Sequence, residues 1–279
     1  MLVVGLVASA AAAVLNSAAG LLEAAGGRRA GAAGPVLRQP LYLAGLGVDL
    51  AGFALTVLAL RYLPVFAVQA VLAGSIALTA LAAHRLYGLP LRRVDRLAIV
   101  GCVAGLAVVA ASAGRDAGSP AGGVGVILLV GLAALAVAAV PMWRAGNAVP
   151  CAVLAGLAFG GVALAVRAVH LRTTLVEDLR TLPAEPAAYA VVGFAALGLV
   201  AYTRALTGGE VATVTGVLVV TEAVAPGLAG LVLLGDTVRP GWAVPCAVGL
   251  VLAVGGAVVL SRSPAQRVAP EPARRVPPG

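Results

Sequence analysis

Residues 210–234 read EVATVTGVLVVTEAVAPGLAGLVLL, and Gly235 and Asp236 follow. From Val211 to Leu234 the one charged residue is Glu222. A helix that crosses the hydrocarbon core of a bilayer needs about 20 mainly apolar residues, so this stretch predicts a membrane span. Its apolar residues run on without alternation, and it is far longer than the ~10 residues of a barrel strand, which excludes a β reading. Working outward, eight further stretches have the same character: 2–25, 40–60, 64–84, 97–113, 121–140, 148–169, 187–203 and 241–260. Breakers mark their ends, among them Pro40, Pro64, Pro90, Pro120, Pro141, Pro186 and Pro240. The sequence therefore predicts an all-α polytopic membrane protein with about nine transmembrane helices.

Composition agrees. Of 279 residues, 61% are apolar and 11% charged, and the mean hydropathy is +1.06. An average soluble domain is about a quarter charged, so a soluble fold of this chain would lack the residues to cover its surface. That excludes an ordinary soluble enzyme, a disordered chain and a disulfide-stapled secreted domain. Cys102, Cys151 and Cys246 each lie inside an apolar run, with no paired spacing and no nearby histidine. They read as small buried hydrophobes. Residues 1–25 lack a basic leading segment and exceed the ~7–15 apolar residues of a signal core, so they read as a span.

All 19 basic residues are arginine, and the net charge is +8. The arginines are scattered in ones and twos between apolar runs, which argues against nucleic acid as a partner. They sort by membrane side instead. With nine spans, 13 arginines fall on the side of the C-terminus and 6 on the side of the N-terminus. The positive-inside rule makes the richer side cytoplasmic. The expectation is a multi-pass protein of the cell membrane, N-terminus outside and C-terminus cytoplasmic. Residues 261–279, rich in proline and arginine, are expected to form a disordered cytoplasmic tail.

The chain also repeats itself. Residues 60–110 and 205–260 share an order of landmarks: a short polar turn, a helix with scattered hydroxyls or amides, a glycine (Gly88, Gly235), an arginine-containing hinge, and a glycine-rich helix. Aligning the two glycines sets Ser75 opposite Glu222 and Thr79 opposite Pro226. In the nine-span topology the two units run in opposite directions, as in many secondary transporters. The expected organisation is a first repeat over 1–113 with four helices and a second over 121–260 with five.

The stretch VTEAVAPGLAGLVLLGD, with Glu222, Pro226 and Leu234–Gly235–Asp236, resembles the end of an EamA-type repeat of the drug/metabolite transporter superfamily. Residues 58–80, LALRYLPVFAVQAVLAGSIALTA, resemble the matching part of a first repeat, where the leucine-glycine-acid run is degraded to Tyr87, Gly88 and Leu89. Members of the superfamily typically have ten helices. This chain has nine, with one missing after the first. The first half, with GVDLAGF around Asp49 and IVGCVAG at 99–105, is also similar to the NIPA-type magnesium transporter branch. The resemblance implies transport of a small metabolite or cation; the NIPA-type likeness implies Mg²⁺.

A charge at the bilayer centre costs at least ~2.5–3.5 kcal/mol, so deep acids are functional candidates. Asp49 and Glu222 lie near the middle of their spans. Asp49 has Gly45, Gly52 and Thr56 on nearby turns. Glu222 has Thr215 two turns back and Pro226 one turn on, where proline frees a backbone carbonyl. Ser9, Asn16 and Glu23 recur at spacings of seven along the first helix, and Gln69, Ser75 and Thr79 follow in the third. The substrate or ion pathway is therefore assigned to Asp49, Glu222, Thr215, Thr56, Asn16, Gln69, Ser75, Thr79 and Pro226. Asp49 and Glu222 would hold the metal if the cargo is a cation.

Arg61, Arg167 and Arg204 are read as snorkelling at helix ends. The pairs Gly101/Gly105 and Gly156/Gly160 have helix-packing spacing and permit a homodimer. No GxxxxGK[ST], HExxH or GxSxG occurs, so no nucleotide hydrolysis, no enzyme activity and no cofactor is expected. The expected partners are the lipid bilayer and a small-molecule or cation substrate. A transporter is the first expectation, and a non-transporting membrane assembly subunit is the alternative.

Overall fold

A computed structural model describes residues 2–30, 39–87, 90–113, 123–169, 185–208 and 211–263. The helices are α1 (Leu2–Ala30), α2 (Pro40–Leu60), α3 (Val65–Ala73), α4 (Ser75–Tyr87), α5 (Arg93–Ser112), α6 (Val124–Ala145), α7 (Ala148–Ala168), α8 (Pro186–Gly208), α9 (Val211–Leu233) and α10 (Ala243–Ser261). Taken together, α3 and α4 form one span broken at Gly74. On that count, nine apolar helices among the described residues are long enough to cross a membrane. The chain is an all-α polytopic membrane protein. Apart from an isolated bridge between Ala113 and Val238, the described elements are helical.

Most ends fall near where the sequence places them; α1 and α8 each run five residues further, to Ala30 and Gly208, and two other differences have a local cause. Pro141 does not end its helix, because α6 continues to Ala145. In a membrane, neighbouring helices and local adjustment re-satisfy the freed backbone, so proline is tolerated inside a span. The turn into α7 comes instead at Gly146, whose φ of 67° suits glycine. The fourth span begins at Arg93, four residues before the apolar run. The Asp95 side chain accepts the Arg92 backbone N–H at 2.9 Å and pairs with the Arg92 guanidinium at 3.2 Å, which caps the helix start. The expected tail lies outside the described residues from 264 onward.

An odd number of spans puts the start of α1 and the end of α10 on opposite faces, here the N-terminal face and the C-terminal face. Packing then follows a recurring scheme. α1 lies along α2 as α7 lies along α8, α1 also touches α3 and α4 as α7 touches α9, and α5 pairs with α10. The helix without a counterpart is α6, which packs on α7 and α8. The sequence reading put the gap after the first helix; the packing puts it opposite α6.

Glycine allows these close approaches, since association within lipid depends on packing rather than on hydrophobic burial. α7 is the most buried helix. A Cβ on Gly156 would lie 2.8 Å from the Leu218 carbonyl of α9, and one on Gly160 would lie 2.8 Å from Pro226 Cγ. Both GxxxG pairs thus serve packing within the chain, with the exception of Gly101, which has open space around it.

Candidate functional site

A cavity of about 810 Å³ lies between the two halves. One wall is α2, from Leu43 through Leu46, Asp49, Leu50, Phe53 and Thr56 to Leu60. The opposite wall is α7, with Phe159, Val162, Ala163 and Val166, joined by Ala195 of α8. Asn16 of α1, Gln69 of α3 and Glu222 of α9 add the remaining polar groups. A second chamber of about 180 Å³ shares Asn16, Gln69 and Glu222, and extends toward the C-terminal face along Ser75, Ile76 and Val219. The walls are mainly aliphatic with a few convergent polar groups, the usual make-up of a small-molecule site.

The polar groups are not saturated by one another. Asn16 Oδ1 is buried and accepts no hydrogen bond among the described residues. A buried acceptor without a partner calls for an explanation. Its place between the two chambers supplies one, since it offers a ready acceptor to a solute. The amide sits against Gly52 of α2, where a Cβ would collide with Oδ1. Gly52→Ala is therefore expected to push Asn16 off its position. Ligand binding or flux should fall several-fold, while Gly20→Ala, in open space on α1, should leave it unchanged. Comparing both variants in one flux assay checks this.

The structure brings together Asn16, Asp49, Thr56, Gln69 and Glu222 in the large cavity and Ser75 in the smaller one. Thr56 also donates to the Gly52 carbonyl at 3.0 Å. Three expected pathway residues stand elsewhere. Thr79 lies at the helix seam within hydrogen-bonding distance of Ser17 Oγ (3.0 Å) and the Ser75 carbonyl (2.9 Å). Pro226 is buried against Gly160. Thr215 is half-buried and lines neither chamber. On the first helix Ser9 turns to its own backbone, donating to the Gly5 carbonyl at 2.7 Å. The Glu23 side chain lies outside the described residues. The three cysteines are buried and free. Among the described residues no three of His, Cys, Asp and Glu converge as a metal cluster.

Arg167 corrects the sequence reading. Its side chain is 7% exposed and does not reach out to the interface. One guanidinium nitrogen donates to the Leu60 carbonyl at 2.6 Å, and another faces Asp236 Oδ1 at 3.4 Å. Asp236 Oδ2 in turn accepts the Val65 N–H at 2.7 Å. Burial is the largest influence on the Asp236 carboxyl and holds it above the usual carboxylate range. The Val65 N–H and Arg167 act in the opposite sense without cancelling it. The signal in the sequence was the run Leu234–Gly235–Asp236, an acid directly after a long apolar helix. Arg204, by contrast, is exposed, with its guanidinium 4.8 Å from the centre of the Trp143 ring.

No family model matches the chain, and neither does any curated protein or solved structure.

Proposed function

We propose that this integral membrane protein is a secondary transporter of the drug/metabolite transporter type, moving a small metabolite or cation by alternating access. The observation that carries the reading is one cavity, bounded by helices of both halves, in which Asp49 and Glu222 meet Asn16 and Gln69. A packing subunit gains little from two acids in lipid-spanning helices, whereas a transporter uses them for cargo or coupling ion. The recurring pairing of α1–α5 with α7–α10 supplies two bodies able to rock about that cavity. The described residues that line it offer carboxylates and amides, with no arginine or histidine among them, which favours a solute bearing positive charge or hydrogen-bond donors.

Mg²⁺ is the second reading. An ion with six waters occupies roughly 180 Å³. The smaller chamber is about that size and is lined by Glu222, Asn16, Gln69 and Ser75. The large cavity exceeds this need several-fold and favours an organic solute.

The test is flux into proteoliposomes across a panel of metabolites, organic cations and Mg²⁺, for wild type and for the Asp49→Asn/Glu222→Gln pair. Flux of one panel member that the pair abolishes supports the reading. Equal flux in both proteins would refute the acid-site mechanism, and no flux of any kind favours the assembly subunit. The cell membrane with an external N-terminus is the proposed setting. A fluorescent-protein fusion at the C-terminus should be bright and a phosphatase fusion inactive; the reverse would overturn the orientation.

A further inference from the structure

The large cavity is closed at one end only. It follows α2 from Leu43, one turn inside the C-terminal face, to Leu60 at the N-terminal face. Leu43, Leu46, Leu50 and Phe53, which line it from the C-terminal side to mid-span, are all exposed, so the cavity is uncovered along that stretch of α2. At the other end Leu60 is fully buried, and its carbonyl is the one that Arg167 holds. Val166, next to Arg167, lines the same end.

Four elements meet at this closed end, brought together by two side chains. Arg167 comes from α7, Asp236 follows α9, and the groups they hold are the Leu60 carbonyl of α2 and the Val65 N–H of α3. The pair therefore links the first half of the chain to the second. Local backbone is arranged for it. Gly235 takes a φ of 66°, and the Asp236 N–H then returns to the Gly230 carbonyl at 3.1 Å. A Cβ on Gly230 would lie 2.8 Å from Asp236 Oδ2. The loop beyond is tied down as well, since the Arg239 N–H donates to the Ser112 carbonyl of α5 at 2.9 Å.

The first unit carries no counterpart. The alignment that sets Gly88 opposite Gly235 sets Leu89 opposite Asp236. At the C-terminal face the buried acid among the described residues is Asp95, paired with Arg92 at the start of its own helix, so the ion pair that joins the two halves is the one at the N-terminal face. The geometry points to Arg167 and Asp236 as the gate latch of that face: they hold the cavity shut there, and their separation accompanies its opening to that side. The inference rests on the alternating-access reading and assigns two gating residues to it.

The test uses the full chain with its three cysteines replaced by alanine and Ala163→Cys as reporter, because Ala163 lines the cavity. A membrane-impermeant maleimide is applied to right-side-out and to inverted vesicles. The parent should react from the C-terminal face and slowly from the N-terminal face. Arg167→Gln and Asp236→Asn should each raise the N-face rate about tenfold or more, a modest shift of a two-state equilibrium. Arg167→Lys should return the rate toward the parent. A role confined to stability would lower the melting temperature and leave the sidedness of labelling unchanged, and that result overturns the latch. If Arg167→Gln does not elute as a folded protein, the isosteric Asp236→Asn decides. Flux is measured alongside. Altered labelling in a protein that transports nothing supports the latch and removes the transporter reading; Glu222-dependent flux with unaltered labelling does the reverse.

Discussion

Glu222→Gln should abolish most gradient-driven flux while leaving the protein folded. The substitution keeps the shape of the side chain and its capacity to hydrogen-bond. It removes the charge, and with it the ability to exchange a proton or neutralise a cation. Loss of a charge-assisted contact is worth about 1.5–3 kcal/mol, a factor of roughly 10 to 100 in binding or rate. Glu222 lines both chambers, whereas Asp49 lines only the larger one from the exposed side of α2. Asp49→Asn is accordingly expected to have the smaller effect. Initial rates in proteoliposomes, with melting temperature in detergent as the folding control, check the ranking. Equal rates for Glu222→Gln and wild type would show that the acid is a structural passenger.

Gly105→Leu should have the largest effect on stability. A Cβ at this position would lie 2.6 Å from the Ala253 nitrogen and against the Gly249 carbonyl, both backbone atoms of α10. The reciprocal approach is as tight, with a Cβ on Gly256 lying 2.6 Å from the Ala98 carbonyl. Backbone cannot step aside as a side-chain end can, so the seam between α5 and α10 has to open. Overpacking of this kind costs about 3 kcal/mol or more. A loss of that size corresponds to a fall of about 10 °C in melting temperature. At Gly101, one turn earlier on α5, a Cβ meets nothing within 4 Å, so Gly101→Ala should melt like wild type. Thermal unfolding of the two variants side by side tests the seam, and equal melting points would remove it.

The same two glycines show where the sequence was legible. Spacing marked Gly101 and Gly105 as one pair, because helical periodicity gives the face. Which partner arrives, and at what height along the helix, depends on long-range packing that periodicity does not encode. The spans were legible for a stronger reason: 20 apolar residues have few alternatives. Pro141 and Gly74 were misjudged or unseen because local propensity is overridden inside a membrane, where neighbouring helices decide what a breaker does. Asp49, Glu222 and Asn16 were legible because polar groups are costly in lipid and rare in this chain. Thr79, Thr215 and Pro226 shared their faces by spacing, but a Thr79 hydroxyl satisfied by its neighbours and a proline seated on Gly160 do not need the cavity, and Thr215 lines neither chamber. Arg167 was misread because terminal position alone implies snorkelling. Its true partners lie 107 and 69 residues away in the chain.

The helix α6 packs on α7 and α8, contributes none of the described residues that line the cavity and has no partner in the packing scheme. Its consequence is a matter of parity. Four spans begin and end on the same face, so a second unit of four joined directly to the first would enter the membrane in the same direction. One additional crossing reverses the entry point. α6 therefore acts as a topological inverter: without contributing to the site, it sets α7–α10 antiparallel to α1–α5, which is what allows α5 to meet α10 and α2 to face α7 across a shared space. Deleting it would remove no residue from the cavity, yet it would turn half of the wall around.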